Sequence, residues 1–315
     1  MQIMNKNGFS RCGELYIGRL QKEGRFSTAH VYKNALFSFN KFCGTQSVSF
    51  RQVTRECLRR YGQHLSESGL KPNTVSTYMR MLRSVYNRGV EAGRAPYVPY
   101  LFRDVYTGVD VRQKRALPMS ELHKLLYDDP QSERLRRTQS IAALMFQFCG
   151  MAFVDFAHLK KENVRGGVLE YKRQKTGTPM LIEVQSTAWE SLRELSSDVG
   201  KDSPYLFPFL KGIKVGKEAY KEYTSALAHF NRNLKRLARA CGVSIPITSY
   251  SIRHSFAMIL KEQDVPIEMI SELLGHKSIK TTQIYLKSFS LEKMSAVNKI
   301  CFESEIGRAS CRERV

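Results

Sequence analysis

Three side chains able to work on a phosphodiester fall close together near the end of the chain: Arg253, His276 and Tyr285. Arg253 opens Arg253-His254-Ser255-Phe256-Ala257 inside an apolar helical pattern. Leu273-Leu274-Gly275-His276 follows about twenty residues on, and Tyr285 stands nine residues after His276. In this order the residue types suit phosphoryl transfer. A phenol is the nucleophile, and the cations stabilise the charge that builds on a phosphate in the transition state. Singly, each has a plainer reading: a salt-bridged arginine, a helix-terminal histidine, a half-buried packing tyrosine. No metal-ligand spacing surrounds His276, so no metal is expected there.

Taken together, Arg253-His254-Ser255-Phe256-Ala257, Leu274-Gly275-His276 and Tyr285 resemble the carboxyl-terminal boxes of the tyrosine recombinase (phage integrase) family, and the resemblance runs through nearly all of 110–290. It implies a site-specific DNA recombinase that cuts and rejoins DNA through a 3′-phosphotyrosyl intermediate, without metal, nucleotide or other cofactor. It also implies a two-domain DNA clamp: a SAM-like helical core-binding domain, then the catalytic domain. Within that frame Tyr285 is the nucleophile, Arg253 grips a non-bridging phosphate oxygen through its planar fork, and His276 donates to the same phosphate. Lys175, in the turn Lys175-Thr176-Gly177-Thr178, matches the hairpin lysine that protonates the departing 5′-oxygen, with Lys172 as a lesser candidate. The implied partner is double-stranded DNA, bound by a homotetramer on two recombination sites.

Two positions depart from the family pattern. Tyr250 stands where a histidine usually precedes the second-box arginine, and a phenol near pKa 10 is a poor proton carrier at neutral pH. Adjacent His254, one residue after Arg253, points about 100° away on a helix and reads as a packing residue. The larger departure lies in Cys149-Gly150-Met151-Ala152-Phe153-Val154-Asp155. Asp155 matches the family's acidic residue, but Ala152 occupies the place of its first catalytic arginine. Arg136, Arg137 and Arg173 are the nearby cations, and Arg173, two residues from Lys175, is the nominated substitute. Without such a substitute the chain reads instead as a catalytically impaired, sequence-specific DNA-binding protein of the same fold. A type IB topoisomerase shares the chemistry, but the compact length weighs against it.

The bulk composition agrees with a DNA partner. Fifty Lys and Arg against twenty-nine Asp and Glu give a net charge of +21, and such an excess favours a polyanion through counterion release. Seven cysteines, scattered and without Cys-x-x-Cys pairs, argue for reduced thiols and a cytoplasmic, nucleoid-associated protein. No apolar run approaches a membrane span. Residues 305–315 read like translated sequencing-adapter DNA and are expected to be non-native. Removing their three Arg and two Glu takes +21 to +20, so the charge argument is unaffected.

The elements that must position these residues are mainly helical. Residues 1–25 read as a polar arm. Helical patterns then cover 27–42, 50–65 and a run from Asn73, taken as N-cap, to Gly93. The polar side of this third helix carries Lys71, Arg80, Arg83 and Arg88, expected to face the DNA backbone. Residues 94–117 break the periodicity. The helical domain is assigned 26–105, and the linker 106–117, whose Arg112, Lys114 and Arg115 are further expected DNA contacts. The catalytic domain, 118–304, is expected to hold helices from 119, at 137–150, 154–159, 186–195, 217–241, 251–261, 267–274, 281–287 and 291–300, around one antiparallel hairpin at 168–172 and 180–184.

Overall fold

A computed structural model of the chain describes residues 8–108, 116–286, 294, 295 and 299, with backbone alone for 284 and 285. It divides into two units, residues 1–112 with 213–222, and residues 113–212 with 223–315. Among the described residues no helix is long and apolar enough to cross a membrane.

The first unit is built on four helices: α1 (Phe9–Lys22), α2 (Phe26–Phe42), α3 (Arg55–Glu67) and α4 (Pro72–Glu91). The amino-terminal stretch is therefore not an arm. Phe9, Ile17 and Leu20 recur at helical spacing and are buried against α2 and α4, which the polar residues between them concealed from the sequence reading. Thr54 caps α3 by accepting from the Cys57 amide at 3.1 Å. Lys71, not Asn73, is the N-cap of α4, because Pro72 takes the first helical position, where no amide donor is required. The chain after α4 is not yet linker. Leu101 and Phe102 are buried in the same core, and Pro96 and Pro99 accept from Tyr86 and Arg55.

The second unit contains α5 (Met119–Tyr127), α6 (Glu133–Gln147), α7 (Phe153–Ala157), α8 (Trp189–Ser197), α9 (Gly216–Ala240, its first turns grouped with the first unit), α10 (Ser249–Glu262), α11 (Ile267–Leu273) and α12 (Ile279–Tyr285). A three-stranded antiparallel sheet, β1 (Val164–Arg165), β2 (Val168–Lys172) and β3 (Pro179–Glu183), runs in that order. The fold is thus mainly α with one small antiparallel sheet; β1 is too short to carry a sequence signal of its own. Leu169 pairs with Ile182 and Tyr171 with Met180, so alternate residues of both strands enter the core. The expected helix at 291–300 and the tail 305–315 lie outside the described residues, apart from positions 294, 295 and 299.

Candidate active site

The site gathers where α10, the α11–α12 turn and the β2–β3 hairpin converge. Helix α10 starts at Thr248, whose amide donates to Ser251 Oγ at 3.2 Å. Its first two turns bury Ser251, Ile252, Arg253, His254 and Ser255. Arg253 is only 2% exposed, so every donor it keeps must find an acceptor or cost free energy. Its Nη1 donates to Gly150 O at 3.0 Å, and its Nη2 to Leu274 O and to His276 Nε2, the latter at 3.3 Å.

The Leu-Gly-His signature has a backbone explanation. The His276 amide bonds Ser271 O at 2.9 Å and the Gly275 amide bonds Glu272 O at 2.7 Å, the paired closure of a helix end whose C′ residue is left-handed. Gly275 takes that position at φ +59°. A side chain there would also collide, because a Cβ would come within 2.6 Å of Arg173 Cδ. The turn delivers His276 into the site. Arg253 can only donate, so His276 Nε2 accepts, and Nδ1 carries the proton donated to Thr282 Oγ1 at 2.8 Å. Thr282 is fully buried in α12, and Tyr285 ends that helix three residues later.

The hairpin supplies the rest. The Arg173 amide bonds Thr178 O at 2.9 Å and the Gly177 amide bonds Arg173 O at 2.7 Å, which puts Lys175 on the exposed tip. Arg173 continues the inward register of Leu169 and Tyr171 and is buried, whereas Lys172 points out. Its Nε approaches Asp155 Oδ2 at 3.4 Å, and its Nη1 donates to Leu274 O at 3.0 Å and Gly275 O at 2.9 Å. Asp155 Oδ1 accepts from the Gln174 amide at 2.7 Å, so one carboxylate ties α7 to the hairpin. The other two cations nominated near Ala152 are elsewhere: Arg136 is paired with Asp129 and Glu133, and Arg137 with Asp198.

Electrostatically the centre holds more positive than negative charge. Burial, then the neighbouring Arg173 charge, depress the Arg253 guanidinium to about 10. Tyr171 and Tyr250 are pushed up, mainly by burial, so both phenols stay neutral donors near neutral pH. Tyr250 remains partly exposed, its ring edge-on to His254 at 4.7 Å. Among the described residues no cluster of His, Cys, Asp or Glu could hold a metal ion.

A sequence profile described as "Phage integrase family" matches residues 116–292, more than half of the chain. The chain belongs to the phage integrase family. A second profile, "Phage integrase SAM-like domain", matches residues 9–105 and so includes α1. Among curated relatives, a tyrosine recombinase of Pseudothermotoga lettingae is 24% identical over 290 residues, covering 88% of this chain and 92% of that protein. Tyrosine recombinase XerA of Pyrococcus furiosus is 28% identical, covering 79% and 82%. Among solved structures, a lambda integrase (75–356) dimer bound to a COC′ core site aligns with a TM-score of 0.66 at 16% identity, covering 89% of this chain and 97% of that one. It supports the integrase fold.

Of the basic residues expected on the face of α4, Lys71 and Arg80 are exposed. Arg83 instead donates to Phe102 O at 3.2 Å and lies 5.3 Å from the centre of that ring, and Arg88 covers the Tyr16 ring at 3.7 Å. A cation seated on an aromatic ring is partly desolvated and held in place, so these two help to pack the integrase's first unit. Arg112, Lys114 and Arg115 lie outside the described residues. Thr282, the buried partner of His276, was missed by sequence reasoning. Its only signal was a hydroxyl three residues before the tyrosine.

Proposed function

We propose that this phage integrase is a site-specific DNA recombinase whose nucleophile is Tyr285. The phenol of Tyr285 gives its proton to the neutral Nε2 of His276, its oxygen attacks a scissile phosphate, a Tyr–O–P bond forms, and the bond from phosphorus to the 5′-oxygen breaks. Lys175, on its exposed hairpin tip, gives its proton to that leaving oxygen, and a free 5′-hydroxyl results. The phosphodiester energy is kept in the protein–DNA bond, so the reverse attack by a 5′-hydroxyl reseals DNA without a nucleotide. Arg253 and, once protonated on Nε2, His276 donate to the non-bridging oxygens. Tyr250 is a neutral hydrogen-bond donor to the same phosphate. The observation that carries the reading is the chain of hydrogen bonds from Arg253 through His276 to Thr282, one turn before Tyr285.

The comparisons agree. The relatives are named tyrosine recombinases, XerD and XerA among them, and one structural neighbour is a lambda integrase tetramer bound to a Holliday junction. By analogy this chain acts as four protomers on two sites, with residues 291–300 docking on a neighbouring copy, in association with the nucleoid. Lys71 and Arg80 on α4, with Arg112, Lys114 and Arg115, would meet the DNA backbone.

Covalent trapping tests the reading. The protein is incubated with labelled DNA from the flanks of its own gene, nicked near inverted repeats, and run on a denaturing gel beside Tyr285→Phe. A slow-migrating adduct in wild type, absent in Tyr285→Phe, is expected. Retarded DNA on a native gel with no adduct would replace the enzyme by a binding protein.

A further inference from the structure

We propose that Arg173 is a catalytic residue, binding the scissile phosphate beside Arg253 in place of the arginine that this chain lacks at Ala152. The inference rests on the recombinase reading above. Arg173 reaches the site from just past the end of β2 rather than from the segment ahead of α7. Its position continues the pleat, because Arg173, one residue past β2, keeps the buried alternation of Leu169 and Tyr171.

The two guanidiniums meet on one acceptor, since Arg173 Nη1 and Arg253 Nη2 both donate to Leu274 O. The other acceptors that hold them, Gly150 O, Gly275 O and the His276 ring, are neutral. Asp155 supplies the carboxylate, at 3.4 Å from Arg173 Nε. Two buried cations side by side repel each other unless an anion comes between them. Fastening them to carbonyls holds both in place before any ligand arrives, which is the preorganisation that stabilises a developing oxyanion. Among the described residues Arg173 Nη2 and Arg253 Nε make no hydrogen bond, so each guanidinium retains donors to offer. A phosphodiester, with one negative charge shared by two non-bridging oxygens, matches this pair of forks. Gly275 belongs to the same device, because any side chain there would take the space of Arg173 Cδ.

A purely structural Arg173, a strut between hairpin and α11, makes a different prediction, and a neutral substrate separates the two. Wild type and Arg173→Ala are compared on the DNA that wild type cleaves, once with a normal scissile phosphate and once with a methylphosphonate, in which a methyl group replaces a charged oxygen. On the phosphodiester, Arg173→Ala is expected to slow adduct formation by about 10²–10³-fold, the usual loss for one oxyanion donor, with DNA retention on a native gel kept. On the methylphosphonate the deficit should shrink to less than about tenfold, because the charge that needs a second guanidinium has gone. Added methylguanidinium should restore part of the rate on the phosphodiester. Arg136→Ala and Arg137→Ala should cleave at the wild-type rate. Equal slowing on both substrates would make Arg173 a strut, and an unchanged rate would remove it from the site altogether. Should Arg173→Ala fail to fold, Arg173→Lys, which keeps a charge and a donor to the turn, carries the same comparison. Wild type without any adduct would overturn the recombinase reading and this proposal with it, whereas a wild-type adduct with an unaffected Arg173→Ala overturns this proposal alone.

Discussion

Thr282 Oγ1 lies 2.8 Å from His276 Nδ1, and Thr282 is fully buried, so a threonine on the tyrosine-bearing helix fixes which way the histidine ring faces. Valine has nearly the shape of threonine but cannot accept. Thr282→Val should leave the imidazole N–H unsatisfied, at a cost of about 1–3 kcal/mol, and should release the ring from its orientation toward Arg253. The expected outcome is covalent adduct formation slowed by about tenfold or more with native-gel DNA binding unchanged. Single-turnover rates at saturating protein check it; a wild-type rate would mean that the ring is oriented by something else.

Gly275→Ala places a methyl group where the backbone is left-handed and where Arg173 Cδ and Met180 Sδ already sit. The φ strain alone costs about 1–3 kcal/mol, and the collision must displace Arg173 or the hairpin. Lower thermal stability and lost cleavage are expected together. An alanine variant with the wild-type melting temperature would contradict the packing at this turn.

Asp155 ties two elements through one buried carboxylate: its Oδ2 faces Arg173 Nε and its Oδ1 accepts the Gln174 amide. Asp155→Asn keeps the shape but removes the charge next to two guanidiniums, and breaking a buried pair in this way costs about 3–5 kcal/mol. In a double-mutant cycle, Arg173→Met combined with Asp155→Asn should lose less stability than the sum of the singles. Additivity, measured by denaturant unfolding, would show that the two side chains do not depend on each other.

Much of this site was legible in the sequence, for reasons that differ by residue. Arg253, His276 and Tyr285 could be nominated because short helices and one glycine turn fix their spacing, and a left-handed C′ position explains why glycine precedes the histidine. Arg173 could be nominated but not placed. Its neighbour Lys172 has the same charge, and only the strand register, with alternate residues buried, sends one inward and the other out. The hydroxyl of Thr282 was too weak a signal, because a hydroxyl's partner is set by tertiary packing. Helix α1 was missed for the opposite reason, since its few apolar residues are diluted by charge and declare themselves only when α2 and α4 cover them. Likewise Arg83 and Arg88 share the polar side of α4 with Arg80, yet find aromatic rings in Phe102 and Tyr16.

Tyr250 provides a test by pH. Burial raises its phenol above the ordinary value near 10, while the charges of Arg253 and Arg173 pull the other way, so the group does not titrate between pH 6 and 9. Tyr250→His would put an imidazole, with an ordinary pKa of about 6.5, beside the same two cations. They disfavour the imidazolium, so its pKa should fall below that value, and the ring should be neutral at pH 7 and charge only in acid. The ratio of variant to wild-type cleavage rate should therefore be flat above neutrality and change below about pH 6.5. A ratio that breaks at or above the ordinary imidazole value of about 6.5 would mean that position 250 does not feel the two guanidiniums.

The last expectation concerns α1. Phe9 is fully buried, its ring edge-on to Phe39 and Phe50 at 5.7 Å each, and the neighbouring Ser10 hydroxyl donates to Asn40 Oδ1 at 2.8 Å and accepts from the Val48 amide at 2.9 Å. A flexible arm would tolerate truncation; a core helix would not. Phe9→Ala should cost about 3–5 kcal/mol through lost burial and the cavity left behind, and deleting residues 1–22 should unfold the first unit. Because the proposed catalytic residues belong to the second unit, the second unit should keep its own thermal transition while retention of DNA on a native gel collapses. If the deletion variant binds DNA and melts as wild type does, α1 is dispensable and its packing against α2 and α4 contributes little to the unit.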